Sequence, residues 1–248
     1  MRSVKIDCVE GIVLSETNYS ESSKILNVLT KEYGKIGILS KGCRSIRSKL
    51  RGVSAKLVYG FFHIYYKPNG LSTLISVDVI NPLRHLTTDL MCVSYAAYLS
   101  ELIEQVVKQS EDEAIYTSFI STLLKIEEGY DPGILTNILE LKMLDALGVR
   151  PMVDGCAYCG SDRAIVTLSS SAGGYVCQNC YQNEKLVSDK TIKVLRMFYY
   201  VDIAKISKLE ISSVVKKELN WFIEDYYDRY TGLYLKSKQF LRSLSKMG

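Results

Sequence analysis

The sequence predicts an α+β protein: an N-terminal five-stranded OB-fold barrel, followed by an all-helical domain with an inserted four-cysteine, zinc-ribbon-like motif. Three observations support this fold class. Apolar and polar residues alternate over the first 80 positions, apolar residues recur at helical spacing after Pro82, and four cysteines form two CxxC pairs. We therefore expect domains at 1–81 and 82–248, with a zinc-binding segment at 150–186.

Five runs with strand character begin at Val4. The second and third runs flank the turn KEYGK and predict a hairpin. The fourth and fifth, LVYGFFHIYY (57–66) and LSTLISVDVI (71–80), flank KPNG, where Gly70 permits a positive φ. Five strands with loops rich in Lys and Arg are typical of an OB-fold, although an SH3-like barrel also fits the strand count.

Helices are predicted from Pro82 onward. One buried helix face is indicated by apolar residues spaced four, three, four and four apart: Met91, Tyr95, Tyr98, Leu102 and Val106. Asp131 before Pro132 predicts the start of another helix, and Gly148 predicts its end. Three further helices follow the cysteine segment.

The composition indicates an ordinary globular protein. Of the 248 residues, 47% are hydrophobic and 23% charged, which excludes a disordered or fibrous chain. No apolar run approaches the roughly 18 residues of a membrane span, and acidic residues occupy the place of a signal peptide's apolar core. We expect a cytoplasmic, nucleoid-associated protein with no membrane partner.

Four cysteines give the strongest local signal. Cys156-x2-Cys159-x17-Cys177-x2-Cys180 has the spacing of a four-thiolate zinc site. Four thiolates complete a tetrahedron and leave no position for water or substrate, so Zn²⁺ is expected to be structural. A redox CxxC is the alternative, but such motifs begin a helix after a strand, whereas this segment follows a helix. The nearby Asp154 and Asp162 are expected to be solvated turn residues.

Positive charge is concentrated in the N-terminal third. Residues 1–80 hold twelve Lys or Arg and six Asp or Glu, a local charge of +6, whereas the remainder carries −2. Most of the excess lies in SKGCRSIRSKLRG (40–52), between the third and fourth predicted strands. The candidate DNA-binding residues are Lys41, Arg44, Arg47, Lys49, Arg51 and Lys56. A solvated charged surface is the alternative, but the absence of any acid in the run favours phosphate contact.

Enzyme motifs are absent. GKIG (34–37) lacks the other residues of a phosphate-binding loop, and there is no G-x-S-x-G elbow, HExxH helix or dinucleotide fingerprint. We expect a protein without catalytic residues. Two alternatives stay open: a zinc- or carboxylate-dependent nuclease, and a zinc-ribbon adaptor that binds only protein.

The chain resembles the bacterial RecO family of DNA repair proteins. EGIVL, YSESSKIL, TKEYGK and KGCRSIRSKLRG follow the order of the family's N-terminal blocks, and LGVRPMVDGCAYCG is similar to its cysteine-containing segment. The resemblance implies an OB-fold joined to a helical domain with a zinc site, and no turnover. The match to the family's K-G-x-R and S-K-L-x-G blocks implies that Lys41, Arg44, Lys49 and Arg51 contact DNA. It carries the four cysteines over as metal ligands.

The resemblance also implies a function. Family members are recombination mediators that bind single- and double-stranded DNA and anneal complementary strands. They act with RecR and single-stranded-DNA-binding protein to load RecA at gaps. These activities are expectations for this chain.

Overall fold

The computed structural model describes residues 5–244, and the chain divides into two compact units, Met1–Glu127 and Glu128–Gly248. The predicted start of the first strand at Val4 lies outside the described residues. The first unit contains five strands and three helices: β1 (Lys5–Tyr19), β2 (Ser23–Thr30), β3 (Gly34–Ser40), β4 (Tyr59–Tyr66), β5 (Ser72–Asn81), α1 (Arg84–Thr88), α2 (Leu90–Val106) and α3 (Glu113–Glu127). All five predicted strands are present.

The five strands close into a barrel in the order β1-β2-β3-β5-β4, and β4 returns to β1. β3 and β5 are parallel, and the other neighbouring pairs are antiparallel. This order is the OB-fold topology, so the predicted fold class is confirmed and the SH3-like alternative is not. β1 is long because its first half pairs with β4 and its second half with β2.

The barrel interior is filled by alternate residues of all five strands, as period-two spacing requires. Eight buried side chains form this core: Val9, Val13, Leu26, Val28, Ile38, Phe62, Ile64 and Leu74. Gly60 lies where β4 approaches β5 closely, because a Cβ there would clash with the Asp78 carbonyl oxygen. The strong coiling of a small barrel therefore depends on a residue without a side chain at this position.

The outer side of β1 is covered by helices of the same unit. Ile12 and Leu14 lie outside the barrel core and are 0% and 1% exposed, with α2 packed on β1. The Tyr59 and Tyr116 hydroxyls both donate to Glu10 Oε1, at 2.6 and 3.0 Å, so α3 is joined to the barrel by a shared carboxylate. Because these helices pack with the barrel, the division into units falls after α3. The domain boundary at 81/82 stays a prediction.

The second unit contains α4 (Pro132–Ala146), β6 (Met152–Cys156), β7 (Ile165–Ser169), β8 (Gly174–Cys177), α5 (Asp189–Tyr200), a short 3-10 helix (Ile203–Lys205), α6 (Ser213–Tyr230) and α7 (Lys236–Leu244). α4 is buried on nearly all sides and packs against α5 and α6. β6, β8 and β7 form a three-stranded sheet in that order, which contacts α5. This sheet is the predicted ribbon-like segment.

Helix starts follow the sequence signals. The Asp131 carboxylate accepts hydrogen bonds from the Gly133 and Ile134 backbone N–H groups and also pairs with Lys216 Nζ at 2.7 Å, as expected of an N-cap residue before a first-turn proline. The predicted buried face of α2 is wrong at one end. Met91 is 38% exposed because it lies in the first turn, before the helix meets its neighbours. Within residues 5–244, every helix is too short or too polar to span a lipid bilayer.

Candidate functional site

The basic loop, residues 41–58, connects β3 to β4 and has no regular secondary structure. It begins at the end of the barrel where the β1–β2 turn lies: the Arg44 N–H donates to the Ser22 carbonyl at 2.9 Å, and the Gly42 N–H donates to Ser23 Oγ at 3.2 Å. The β1–β2 loop is one of the two loops with which OB-folds bind oligonucleotides. The basic loop therefore adjoins a common ligand-binding region of the fold.

All six candidate DNA-binding side chains lie on this loop and are exposed: Lys41, Arg44, Arg47, Lys49, Arg51 and Lys56. Within the part of the chain that the structure describes, the first five make no ion pair with a carboxylate. The Arg44 guanidinium also donates to the Ser20 carbonyl at 3.3 Å, so this arginine joins two loops as well as carrying charge. The structure thus brings the predicted cations together on one short segment.

Lys56 has different surroundings from the other five cations. Lys56 is exposed as a whole residue, but partial burial of its ammonium group lowers the pKa of Lys56, and the carboxylates of Glu104 and Glu101 on α2 oppose that shift. The Lys56 ammonium group therefore interacts electrostatically with carboxylates of the protein itself. Of the six candidates, Lys56 is the least available to a phosphate.

The loop is firmly attached to the barrel below it. The Ser40 and Ser54 hydroxyls form a buried hydrogen bond of 2.7 Å across the base of the loop. Cys43 is 2% exposed, and Leu50 packs on the barrel core. The cations therefore project from an ordered support rather than from a free chain.

The aromatic residues of β4 divide between the interior and the surface. Phe62 and Tyr59 are buried, the first in the barrel core and the second against Glu10. Phe61 and Tyr65 are 43% and 44% exposed on the outer face. Tyr66 stacks on Tyr33, with ring centroids 4.2 Å apart. Of the five Phe and Tyr residues on β4, Phe61 and Tyr65 are the two that present a largely open ring.

The four predicted metal ligands converge in the second unit. The sulfur atoms of Cys156, Cys159, Cys177 and Cys180 all lie within 4.8 Å of one another. The Cys159 and Cys177 sulfurs are 3.7 Å apart, close to the roughly 3.8 Å that tetrahedral geometry gives for metal–sulfur bonds of about 2.3 Å. The four thiols could therefore hold one metal ion.

Local backbone geometry presents the thiols. The Gly160 N–H donates to the Cys156 carbonyl at 2.8 Å, closing the first CxxC turn, and Gly160 has the φ of +75° that such a turn favours. The Cys180 N–H closes the second turn on the Cys177 carbonyl at 3.1 Å. Each turn follows a strand of the small sheet, so the sheet fixes the distance between the two pairs.

The thiols influence one another's ionisation. Burial opposes ionisation of Cys156, but the backbone N–H groups of Cys177, Cys159 and Tyr158 outweigh it and lower the pKa of Cys156 to about 6. Hydrogen bonding to the neighbouring cysteines raises the pKa of Cys180 to about 12. Among the described residues, this cluster is the only group of three or more His, Cys, Asp or Glu side chains close enough to share a metal ion.

Asp154 has a role that its sequence context did not indicate. Asp154 is exposed, as predicted, but it lies on β6 rather than in a turn and accepts hydrogen bonds from Arg150, Arg196 and Tyr200. These bonds connect the cysteine-bearing sheet to α5. No sequence signal could have revealed them, because Arg196 is 42 positions away and no periodicity relates the two residues.

The strand order, the basic loop and the four-cysteine cluster together define a class of protein. Its members combine an OB-fold with a helical unit that carries four cysteines able to hold a metal ion. Two family models match this chain, Recombination protein O N terminal over residues 3–83 and Recombination protein O C terminal over residues 87–239. The chain belongs to the RecO family.

Relatives agree over nearly the whole length. The chain is 35% identical to the DNA repair protein RecO of Listeria monocytogenes serotype 4b over 241 residues, which cover 96% of this chain and 94% of that protein. It is also 35% identical to the DNA repair protein RecO of Bacillus subtilis strain 168 over 242 residues, with the same coverage. Both units of the structure therefore have counterparts in these relatives.

Proposed function

We propose that this protein is a recombination mediator in DNA repair. It binds single- and double-stranded DNA through the basic loop, anneals complementary strands and helps load RecA at gaps. It acts in the cytoplasm, at the nucleoid, together with RecR and single-stranded-DNA-binding protein. Membership of the RecO family supports the repair role, and the two relatives described above are named DNA repair proteins.

The observation that carries DNA binding is the basic loop itself. Five exposed cations without carboxylate partners among the described residues project from an anchored segment next to the β1–β2 turn. Contacts between these cations and DNA phosphates would give affinity without base specificity, because the phosphate backbone is the same in every sequence. The contact residues in this proposal are Lys41, Arg44, Arg47, Lys49 and Arg51, with Lys56 at the margin.

Annealing follows from the same electrostatics and needs no catalytic residue. Two DNA strands repel each other through their phosphates, and cations that neutralise some of those phosphates reduce the repulsion. A strand held through its backbone keeps its base edges free for a complement. The proposed mechanism is therefore the holding of strands rather than a chemical step.

In this proposal the metal ion is Zn²⁺, bound by the four cysteine thiolates. Four thiolates complete the coordination of zinc and leave no open position for substrate, so the ion stabilises the small sheet and supplies no chemistry. Asp154 supports the same sheet from its other end through Arg196.

The test of DNA binding is the salt dependence of affinity. With five cations each neutralising one phosphate of a single strand, log affinity should fall with log salt at a slope of about −3.5. Replacing Lys41, Arg44, Arg47, Lys49 and Arg51 by Ala should reduce this slope to near zero. A fluorescent oligonucleotide titrated at several salt concentrations measures both slopes.

A charge-matched control separates the loop from the overall charge. It replaces five exposed lysines of the second unit by Ala: Lys190, Lys193, Lys205, Lys208 and Lys217. The control should keep the wild-type slope. Equal slopes in wild type and the loop variant would remove the basic loop from the proposal.

The mediator role is tested by annealing of complementary strands that are already coated with single-stranded-DNA-binding protein. A protein that is merely basic stalls on coated strands, whereas a mediator anneals them. We expect wild type to anneal the coated strands and the loop variant to fail. Annealing of bare strands alone would contradict the mediator role while leaving DNA binding intact.

A further inference from the structure

Three successive β-turns build the first half of the basic loop. The Ser45 N–H donates to the Gly42 carbonyl at 3.2 Å, the Ser48 N–H to the Ser45 carbonyl at 3.1 Å, and the Arg51 N–H to the Ser48 carbonyl at 3.2 Å. Each bond closes a four-residue turn with two central residues. The central pairs are Cys43 and Arg44, Ile46 and Arg47, and Lys49 and Leu50.

Each central pair combines one apolar residue and one cation. In the first turn Cys43 is buried and Arg44 is exposed; in the third, Leu50 packs on the barrel core and Lys49 is exposed. The middle turn breaks this pattern, because Ile46 is 85% exposed beside the exposed Arg47. Ile46 is the most exposed large apolar side chain among those the structure describes.

We propose that Ile46 is an apolar wedge that inserts between neighbouring bases of the DNA held by the loop. This inference rests on the proposed function, because it needs DNA at the basic loop. Isoleucine is among the side chains that DNA-binding proteins insert between base steps. The ligand of this site is thus a stacked base step, whereas the surrounding cations take phosphates.

The position of Ile46 fits this role. Arg44 and Arg47 lie on either side of it in the chain, so phosphate contacts would bring the bases of the same strand against the middle turn. The adjoining turns are anchored through Cys43 and Leu50, which keep the tip from folding back onto the barrel. Base faces are the largest apolar surface that a single DNA strand offers to such a side chain.

Insertion of Ile46 would make part of the DNA-binding free energy independent of salt concentration. Contacts to phosphates weaken as salt rises, whereas the burial of an aliphatic side chain does not. Ile46→Ala should therefore weaken DNA binding by about tenfold at every salt concentration. Its slope should equal that of wild type, whereas Arg47→Ala should reduce the steepness of the slope by about 0.7.

Two variants control this measurement. Ile46→Leu keeps a branched apolar side chain of equal size and should retain most of the affinity. Leu90→Ala removes another exposed apolar side chain, 62% exposed at the start of α2, and should have no effect. A loss with Ile46→Leu as large as that with Ile46→Ala, or an equal loss with Leu90→Ala, would overturn the wedge.

A spectroscopic measurement tests insertion directly. An oligonucleotide that contains 2-aminopurine reports the loss of base stacking as a rise in fluorescence. Wild type should produce this rise, and Ile46→Ala at saturating protein should not. Wild-type binding with the predicted salt slope, but equal fluorescence in both proteins, would refute the wedge and leave the proposed function standing. Absence of salt-dependent binding in wild type would refute the proposed function itself.

Discussion

Some side chains in this protein form hydrogen bonds with elements that are far away in the sequence. Glu10 on β1 accepts from Tyr59 on β4 and from Tyr116 on α3 through one carboxylate oxygen. Burial, with the charge of Glu10 next in effect, raises the pKa of Tyr116 above its ordinary value. The neutral phenol is therefore the form that the fold stabilises.

The raised pKa of Tyr116 predicts a loss of stability in alkali. A group whose pKa is higher in the folded state contributes stability that is complete below its unfolded pKa of about 10 and is lost as pH rises above that value. Above pH 10 the folded state keeps the Tyr116 proton that the unfolded state loses. Tyr116→Phe should therefore lower the difference in bound protons between the two states by up to one, so that the free energy of unfolding falls less steeply with pH. Urea unfolding between pH 9 and 11 measures the slope.

The control for this prediction is Tyr234→Phe, which removes a phenol that is 67% exposed. It should leave the alkaline slope of wild type unchanged. If Tyr116→Phe also kept that slope, the buried contact with Glu10 would not contribute to the pH dependence.

Local spacing predicted the positions of several residues, whereas the DNA-binding and metal-binding roles of these residues stay predictions. The four cysteines, the Asp131 cap and the exposed basic run could all be recognised from short motifs. Asp154 could not, because its partners are positioned by the fold of the second unit. Ile46 could not be recognised as unusual either, because its exposure depends on which apolar neighbours reach the barrel core.

At the scale of elements, period-two alternation predicted all five barrel strands. In β5 the alternating apolar residues do not form a buried face, because Ile75 and Val79 are 38% and 47% exposed whereas Leu74 lies in the barrel core. It did not predict the length of β1, which extends to Tyr19 because its two halves serve different partners. The bulge around Leu14, between the paired Val13 and Ser15, was also not predictable, because it compensates for the bend of a strand that spans both pairings.

The cysteine-bearing sheet is the element whose stability should depend most on metal. Cys156→Ser should abolish zinc binding, measured as the metal content of the purified protein. It should also destabilise the fold by at least about 3 kcal/mol, because the binding energy of a structural zinc is folding energy. Thermal unfolding should then shift downward by about 6 to 12 °C.

Cys8→Ser is the matched control, because Cys8 is exposed on β1 and has no part in the cluster. It should retain full zinc content and the wild-type unfolding temperature. A Cys156→Ser protein that unfolds at the wild-type temperature would contradict a stabilising metal site.

At the scale of the whole molecule, the absence of catalytic motifs in the sequence leads to a prediction about DNA integrity. We expect a labelled oligonucleotide to remain full length after incubation with the purified protein and Mg²⁺ or Mn²⁺, because the proposed function needs no bond cleavage. Denaturing gel electrophoresis measures the fragment lengths. Cleavage that is lost on a single substitution would favour the nuclease alternative over a mediator.

The barrel topology has a consequence for how the first unit folds. The β2–β3 pairing joins residues that are close in sequence, but the β1–β4 pairing joins distant residues such as Glu10 and Phe61. Strand pairings between such distant residues form slowly, because the chain between them must lose conformational entropy before the pairing contacts can stabilise it. That stretch includes the basic loop, whose like charges repel one another as the ring of strands closes. Moderate salt should therefore accelerate the folding of this unit.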